Sequence, residues 1–323
     1  MAAGWSDALR KPLAGDASGR RYERLLRGDE TAVLMIAPER DADGLRRFER
    51  LSDHLRNLGL SAPQVLKVSP DEGLMLLEDL GDRLYPASIA ANPAHEPELY
   101  SRALDCLFIL QSAPPPEGPT VFSSEEMARQ ASLPFFTWAE ADADTPCPFE
   151  DGLKAALDEV APQTPALMLR DFHAENLFWL PERPGPSAVG LIDFQDARLS
   201  SPLYDIVSLL WDARRDVPHD LREGLLLRTA ERLGRSLSDV RAEAATLSLQ
   251  RNLRILGVFA RLAAEGRTGY LAHVPRVWRH IEEALSARHL AALSRSIREV
   301  LPAPADARFS SAHLSCTPTP ARS

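Results

Sequence analysis

The 323-residue sequence predicts an α+β fold in two lobes, a small β-rich N-terminal lobe with one helix and a larger, mostly helical C-terminal lobe. Three observations carry this. In roughly the first 80 residues, short β-prone runs and turn residues surround a single amphipathic stretch. After Leu80-Gly81 the apolar period lengthens to that of helices and holds over most of the chain. Between residues 166 and 195, apolar runs too short for helices flank polar clusters and read as strands carrying loops.

Taken in order, residues 20–37 (RRYERLLRGDETAVLMIA) hold two β-prone stretches joined at Gly28-Asp29, which predicts a hairpin. A loop of small residues, Gly15-Asp16-Ala17-Ser18-Gly19, precedes it. Leu45, Phe48, Leu51, Leu55 and Leu58 then recur at steps of three and four, so one stripe of a helix faces a core, and Gly59 ends it. Residues 63–79 give two short strands around Pro70-Asp71-Glu72-Gly73. Helices follow around 96–112, 123–142, 149–160, 219–234, 238–265 and 274–299. From Leu301 the chain is aperiodic and rich in Pro, Ala and Ser, which reads as a disordered tail. The expected domains are therefore 1–81, 82–301 and a tail of 302–323.

Composition narrows the partners. Hydrophobic residues are 45% and charged residues 26%, as in ordinary globular proteins. A net charge of −9 gives no electrostatic footprint for nucleic acid, although a local arginine cluster can still hold a small anion. No apolar run approaches the length of a membrane-spanning helix, and the first residues lack the apolar core of a secretory signal. Cys106, Cys147 and Cys316 are far apart, without metal or disulfide spacing. A cytoplasmic monomer acting on a small molecule is the expectation.

The chemistry concentrates in LMLRDFHAENLFWL and VGLIDFQDARLSSPLYDIVSLLWDAR. Asp171 opens a polar stretch after an apolar run, Asn176 follows five residues on, and Asp193 ends the next apolar run. That spacing sets three oxygen-bearing side chains on neighbouring loops. Phosphoryl transfer asks for such a set: a carboxylate to accept a hydroxyl proton, and hard oxygen ligands for Mg²⁺ at the phosphates. Asp and Asn after a strand also cap turns, so each residue alone has a purely structural reading.

These blocks, with Gly15-Asp16-Ala17-Ser18, Arg20-Arg21-Tyr22, QRNLRILGVFARL, GYL and PRV, resemble the aminoglycoside phosphotransferase family of the protein-kinase-like fold. Within it they are most similar to the sugar kinases of cell-wall recycling, which act on the anomeric hydroxyl of N-acetylmuramate and N-acetylglucosamine. The resemblance implies ATP and Mg²⁺ as cofactors, Asp171 as catalytic base, and Asn176 and Asp193 as magnesium ligands. It implies a phosphate-covering loop at 16–21 with Ser18, and an adenine hinge at 78–81 with Glu78 and Leu80.

One departure matters. Kinases of this fold carry a lysine on the third strand, but Ala32-Val33-Leu34-Met35-Ile36 has none, and the chain has only Lys11, Lys67 and Lys154. Arg20 or Arg21 beside the small-residue loop is the candidate replacement, since guanidinium grips phosphate bidentately. The lysine's usual helical partner would be Glu49. His173 is a candidate loop organiser or substrate contact. Arg251 or Arg214 is a candidate for the lactyl carboxylate that sets N-acetylmuramate apart, and Trp138 and Trp211 for stacking on a sugar. Three other readings stay open: a kinase for an aminoglycoside, choline or homoserine, a nucleotide-binding regulator without turnover, and a metallohydrolase using Asp171, His173 and Asp193.

Overall fold

The structure, a computed structural model, describes residues 4–13, 19–38, 41–162 and 164–304. The described residues pack as two compact units, one from within 1–120 and 166–198, the other from within 121–165 and 199–304. The segment carrying Asp171, Asn176 and Asp193 thus groups with the N-terminal residues.

The first unit opens with β1 (Leu9–Pro12), β2 (Arg21–Arg27) and β3 (Glu30–Ile36), continues with helix α1 (Ala42–Asn57), then β4 (Val65–Ser69) and β5 (Leu74–Glu78). These strands make one antiparallel sheet in the order β1-β2-β3-β5-β4. The predicted hairpin is β2-β3. Arg27 pairs with Glu30, leaving Gly28-Asp29 as a two-residue turn. Gly28 has φ +57, which a β-carbon would disfavour and which suits the first central position of such a turn.

Helix α1 buries Leu45, Phe48, Leu51 and Leu55, the stripe expected from their spacing. Each such side chain removed from water contributes about 1.5–3 kcal/mol before ordering costs. Gly59 ends the helix in the left-handed region at φ +77, and Leu60 N–H returns to the Leu55 carbonyl at 3.0 Å, satisfying an otherwise orphaned acceptor. Two further helices follow, α2 (Tyr85–Ala91) and α3 (Glu96–Ser112). The unit closes with β6 (Ala166–Met168) and the antiparallel pair β7 (Leu177–Trp179) and β8 (Val189–Leu191).

The second unit holds α4 (Ser124–Ala131), α5 (Leu133–Thr137), α6 (Glu150–Glu159), residues of the short strand β9 (Arg198–Ser200), α7 (Leu203–Leu210), α8 (His219–Leu233), α9 (Leu237–Ala264), α10 (Val274–Leu285) and α11 (Ala291–Val300). The single helix expected over 123–142 is two. Pro134 has no N–H for the carbonyl four residues back, so the ladder breaks at Ser132. The helix expected over 274–299 also divides, at Ser286, whose hydroxyl donates to the Glu283 carbonyl at 2.6 Å in place of continued pairing. Helix α9 is the spine, and Gly257 lets α5 approach it closely: a β-carbon there would lie 2.7 Å from Leu133 Cγ. Trp138 is buried with Nε1 donating to the Pro302 carbonyl at 3.1 Å, a packing role.

Candidate active site

Asn176 closes a short 3-10 turn, and β7 starts at the next residue. Asp193 lies two residues beyond β8. In this hairpin Leu177 pairs with Leu191, which puts Asn176 opposite Ile192, whose N–H donates to the Asn176 carbonyl at 3.2 Å. One residue further is Asp193, and Asn176 Nδ2 approaches its Oδ2 to 3.4 Å. Strand register therefore brings together an amide and a carboxylate that are seventeen residues apart.

The same Nδ2 donates to the Asp171 backbone carbonyl at 2.9 Å and closes the loop from 171 to 176. A carbonyl can only accept, so the amide nitrogen is the atom turned toward it, and Asn176 Oδ1 remains for another partner. His173, buried at 6% exposure, sits beneath the loop with Nε2 3.4 Å from the same nitrogen. Asp171 itself is half-buried. All three predicted oxygen donors thus belong to one hydrogen-bonded loop cluster.

Two flanking residues hold this cluster in an uncommon backbone. Arg170 (φ +74) and Asp193 (φ +60) are left-handed, and among the described residues Glu140 is the one other non-glycine with positive φ. Such a conformation costs an L-residue roughly 1–2 kcal/mol, so the surrounding packing must hold it. Part of that packing is visible: Phe194 is fully buried, and its ring lies 4.8 Å from the Phe48 ring of α1. Gln195, 6% exposed, donates from Nε2 to Asp193 Oδ1 at 2.7 Å and fixes the carboxylate's rotation. Reading the sequence passed over Gln195; its one signal was its place two residues after Asp193.

The expected hinge is heavily tied. Glu78 is a cross-link: Oε1 accepts from Arg183 at 2.5 Å, and Oε2 accepts from Arg56 at 3.2 Å and from the Gln64 N–H at 3.0 Å. Its carboxylate is thus fully engaged within the first unit. Leu80 is buried, with Cδ1 3.0 Å from where a β-carbon on Gly190 would stand. Arg24 on β2, absent from the sequence reading, clamps the hinge by reaching Asp79 at 2.7 Å, Asp82 at 2.7 Å and the Gly81 carbonyl at 3.0 Å.

Ser18 lies outside the described residues. Arg20 is 6% exposed and bound to Asp41 at 2.8 Å, whereas Arg21, at the start of β2, is exposed. Glu49, the expected partner of the absent strand lysine, is half-buried on α1. In the second unit, Arg214 is half-exposed and its N–H donates to Asp212 at 2.8 Å. Arg251 is 4% exposed, with its guanidinium carbon 5.8 Å from the centre of the Tyr204 ring. Trp211 is buried and carries Arg222 over its ring at 5.0 Å.

Asn176 Oδ1 and the Asp193 carboxylate suit a hard cation: two oxygens from protein, with space left for phosphate and water, is the way Mg²⁺ is usually held. Among the described residues no group of three or more His, Cys, Asp and Glu could hold a metal, which leaves the metallohydrolase reading without a ligand set there. Nor is any described helix long and apolar enough to cross a membrane.

A kinase-like α+β fold with these loops places the chain in a class, the phosphotransferases. The model of the phosphotransferase enzyme family (APH) matches residues 10–245, and the chain belongs to that family. It is 34% identical to an N-acetylmuramate/N-acetylglucosamine kinase of Caulobacter vibrioides, over 90% of this chain and 91% of the relative. It is 28% identical to one of the same name from Pseudomonas aeruginosa, over 89% and 88% of the two chains. Among solved structures, ADP-bound aminoglycoside phosphotransferase APH(2'')-Ib superposes with a TM-score of 0.58 over 88% of this chain and 94% of that one, at 16% identity, a likeness of fold.

Proposed function

We propose that this chain transfers the γ-phosphate of ATP to the anomeric hydroxyl of N-acetylmuramate and N-acetylglucosamine, as a cytoplasmic monomer that recovers cell-wall amino sugars. The observation that carries the reading is the Asp171, Asn176 and Asp193 cluster, found in a chain that is 34% identical over 90% of its length to a kinase named for both sugars.

Asp171 is the base that orients the sugar hydroxyl and accepts its proton as the oxygen attacks phosphorus. Asn176 Oδ1 and the Asp193 carboxylate would hold Mg²⁺, which would supply neutralisation of phosphate charge. The chain's own contribution is positioning: the Asn176 bond to the Asp171 carbonyl fixes the loop, and Gln195 fixes the Asp193 carboxylate before nucleotide arrives. At the hinge, residues 78–81 would offer adenine their backbone rather than the Glu78 carboxylate, which pairs with Arg183 and Arg56. Of the two arginines considered for the lactyl carboxylate, Arg214 is the more exposed and Arg251 is buried, which favours Arg214.

Purified protein with MgATP and a panel of amino sugars, aminoglycosides, choline and homoserine, followed by ADP release, tests the reading. Turnover with the two N-acetylated sugars is expected, and Asp171→Asn should lower kcat by orders of magnitude at unchanged thermal stability. Preference for any other acceptor in the panel would replace the sugar assignment. Normal turnover by Asp171→Asn would remove the mechanism. For Arg214→Ala, KM should rise for N-acetylmuramate and stay constant for N-acetylglucosamine.

A further inference from the structure

We infer that Arg24 is a positioning residue for the nucleotide base, holding the main chain of the hinge in the form that adenine meets. This role rests on the function proposed above, which gives residues 78–81 a nucleotide to receive. Arg24 lies on β2, and the hinge follows β5. Those strands stand on either side of β3 in the sheet, so the Arg24 side chain crosses a whole strand to reach its partners.

Nε of Arg24 lies 2.7 Å from Asp79 Oδ2, and Nη2 donates to Asp79 Oδ1 at 3.0 Å, the two-point fit of a guanidinium fork on a carboxylate. Nη2 also donates to the Gly81 carbonyl at 3.0 Å, and Nη1 donates to Asp82 Oδ1 at 2.7 Å. Asp79 Oδ1 in turn accepts from the Gly81 N–H at 3.0 Å, so this one assembly fixes both main-chain polar groups of Gly81. Gly81 stands at φ +83, and a glycine left unheld moves among several backbone forms. Fixing Gly81 and the Asp79 side chain also fixes Leu80 between them.

Burial keeps the grip strong. The Asp79 side chain is 5% exposed and that of Arg24 17%, so water screens their pairing little, whereas Asp82 is 80% exposed and adds less. A lysine there would be a point charge on a flexible stem, without the planar fork that spans both Asp79 oxygens. Glu78 is the contrast: it accepts from Arg183, Arg56 and the Gln64 N–H, and none of these bonds touches the main chain of residues 79–81. The bond to a hinge carbonyl is what separates Arg24 from an ordinary cross-link of the sheet.

Calorimetric titration of the full chain with ADP and Mg²⁺, without sugar and well below every variant's Tm, tests the role. Arg24→Lys should bind ADP at least about fivefold more weakly than the parent. Arg27→Gln, which breaks the ion pair with Glu30 on the same hairpin, should bind ADP like the parent. Where Arg24→Lys is too unstable to titrate, Asp82→Ala, at an exposed position, carries the test, with binding at least about twofold weaker. In turnover, Arg24→Lys should raise KM for ATP by the same factor, with kcat at saturating ATP and KM for the sugar unchanged. A merely structural role would lower Tm and the amount of active enzyme and leave KM for ATP where it is. Equal ADP affinity in the parent and Arg24→Lys, or in the parent and Asp82→Ala where that variant carries the test, would overturn the inference and leave the kinase reading standing. A parent that binds no ADP would overturn both.

Discussion

Asn176 Nδ2 donates to the carbonyl oxygen of Asp171 at 2.9 Å, so the residue assigned to the metal also holds the loop of the residue assigned as base. The two roles are separable by substitution. Asn176→Asp keeps oxygen ligands but sets a carboxylate against a carbonyl and against Asp193. Asn176→Ala removes both ligand and tether. Both variants should lose at least about a hundredfold in kcat, a size in keeping with loss of one positioned polar group. A Mg²⁺ titration separates them further: the Asp variant should saturate with metal and recover part of its activity, the Ala variant should not. Equal kcat values for parent and Asn176→Ala would show that this amide has no part in the chemistry.

Gln195 offers a milder perturbation. Its 2.7 Å bond to Asp193 Oδ1 is buried, and Gln195→Leu removes the donor at nearly constant volume. The Asp193 carboxylate then turns more freely. We expect kcat to fall about tenfold and the Mg²⁺ concentration for half-maximal activity to rise, with KM for the sugar unaltered. Unaltered metal dependence would assign Gln195 to packing alone.

Much of this arrangement could be read from the sequence, and the gaps have physical causes. The β2-β3 hairpin and α1 were legible because a glycine turn and a five-residue apolar stripe leave strong local patterns. The spacing of Asp171, Asn176 and Asp193 set them on neighbouring loops, and hydrogen bonds from Asn176 join these loops. Helix α7 was not set apart among the expected helices, because eight residues, all buried and including the polar Asp205 and Ser208, are too few to establish a helical period. Strand β1 was missed because four exposed residues ending in proline resemble loop. Arg24 acts through partners fixed by tertiary structure, Asp79 and Asp82, which are more than fifty residues away in the chain. No local pattern in the sequence announces such pairs.

Glu78 separates a structural from a nucleotide-binding role at the hinge. Glu78→Gln keeps the shape but weakens charge-assisted bonds to Arg183 and Arg56 and sets an amide donor among donors. Both arginines and the glutamate are partly exposed, so solvent screens the loss, which should be about 1–2 kcal/mol. A fall in Tm with KM for ATP unchanged is the expected pattern in a thermal melt and a nucleotide titration. A rise in KM for ATP without loss of Tm would instead put the side chain in contact with the nucleotide.

Gly190 is required by space rather than by backbone angle. A β-carbon there would stand 2.9 Å from Phe178 Cβ and 3.0 Å from Leu80 Cδ1, at the centre of the hairpin that sets the Asn176 and Asp193 register. Gly190→Ala should therefore destabilise by about 1–3 kcal/mol through overpacking. Because the clash acts on the register itself, kcat should fall with it. Gly224, exposed on α8 with nothing within 4 Å of its added β-carbon, is the contrast: Gly224→Ala should raise stability by about 0.5–1 kcal/mol. Differential scanning calorimetry of the pair decides the matter, and equal effects of the two alanines would refute the packing argument.

His280 on α10 gives the fold a specific acid sensitivity. Burial lowers its pKa from the ordinary 6.5 to about 4, with Arg222 and Arg279 acting in the same direction and Glu283 and Asp216 against it. The unfolded chain, where the imidazole is hydrated, binds a proton near pH 6.5, while the folded chain resists it until about pH 4. Between those values the unfolded state holds more protons, so stability must fall as pH falls. The contribution is fully present above about pH 6.5 and is lost by about pH 4, amounting to on the order of 3 kcal/mol. Carboxylates paired with arginine, such as Asp216, whose pKa is lowered from 3.8 chiefly by its hydrogen bond to Arg276, lose their stabilisation at still lower pH, below that range. His280→Gln carries no proton to gain, and its Tm should therefore vary less than the parent's between pH 6.5 and 4.5. A slope identical to the parent's would mean that the imidazole is hydrated in the folded protein.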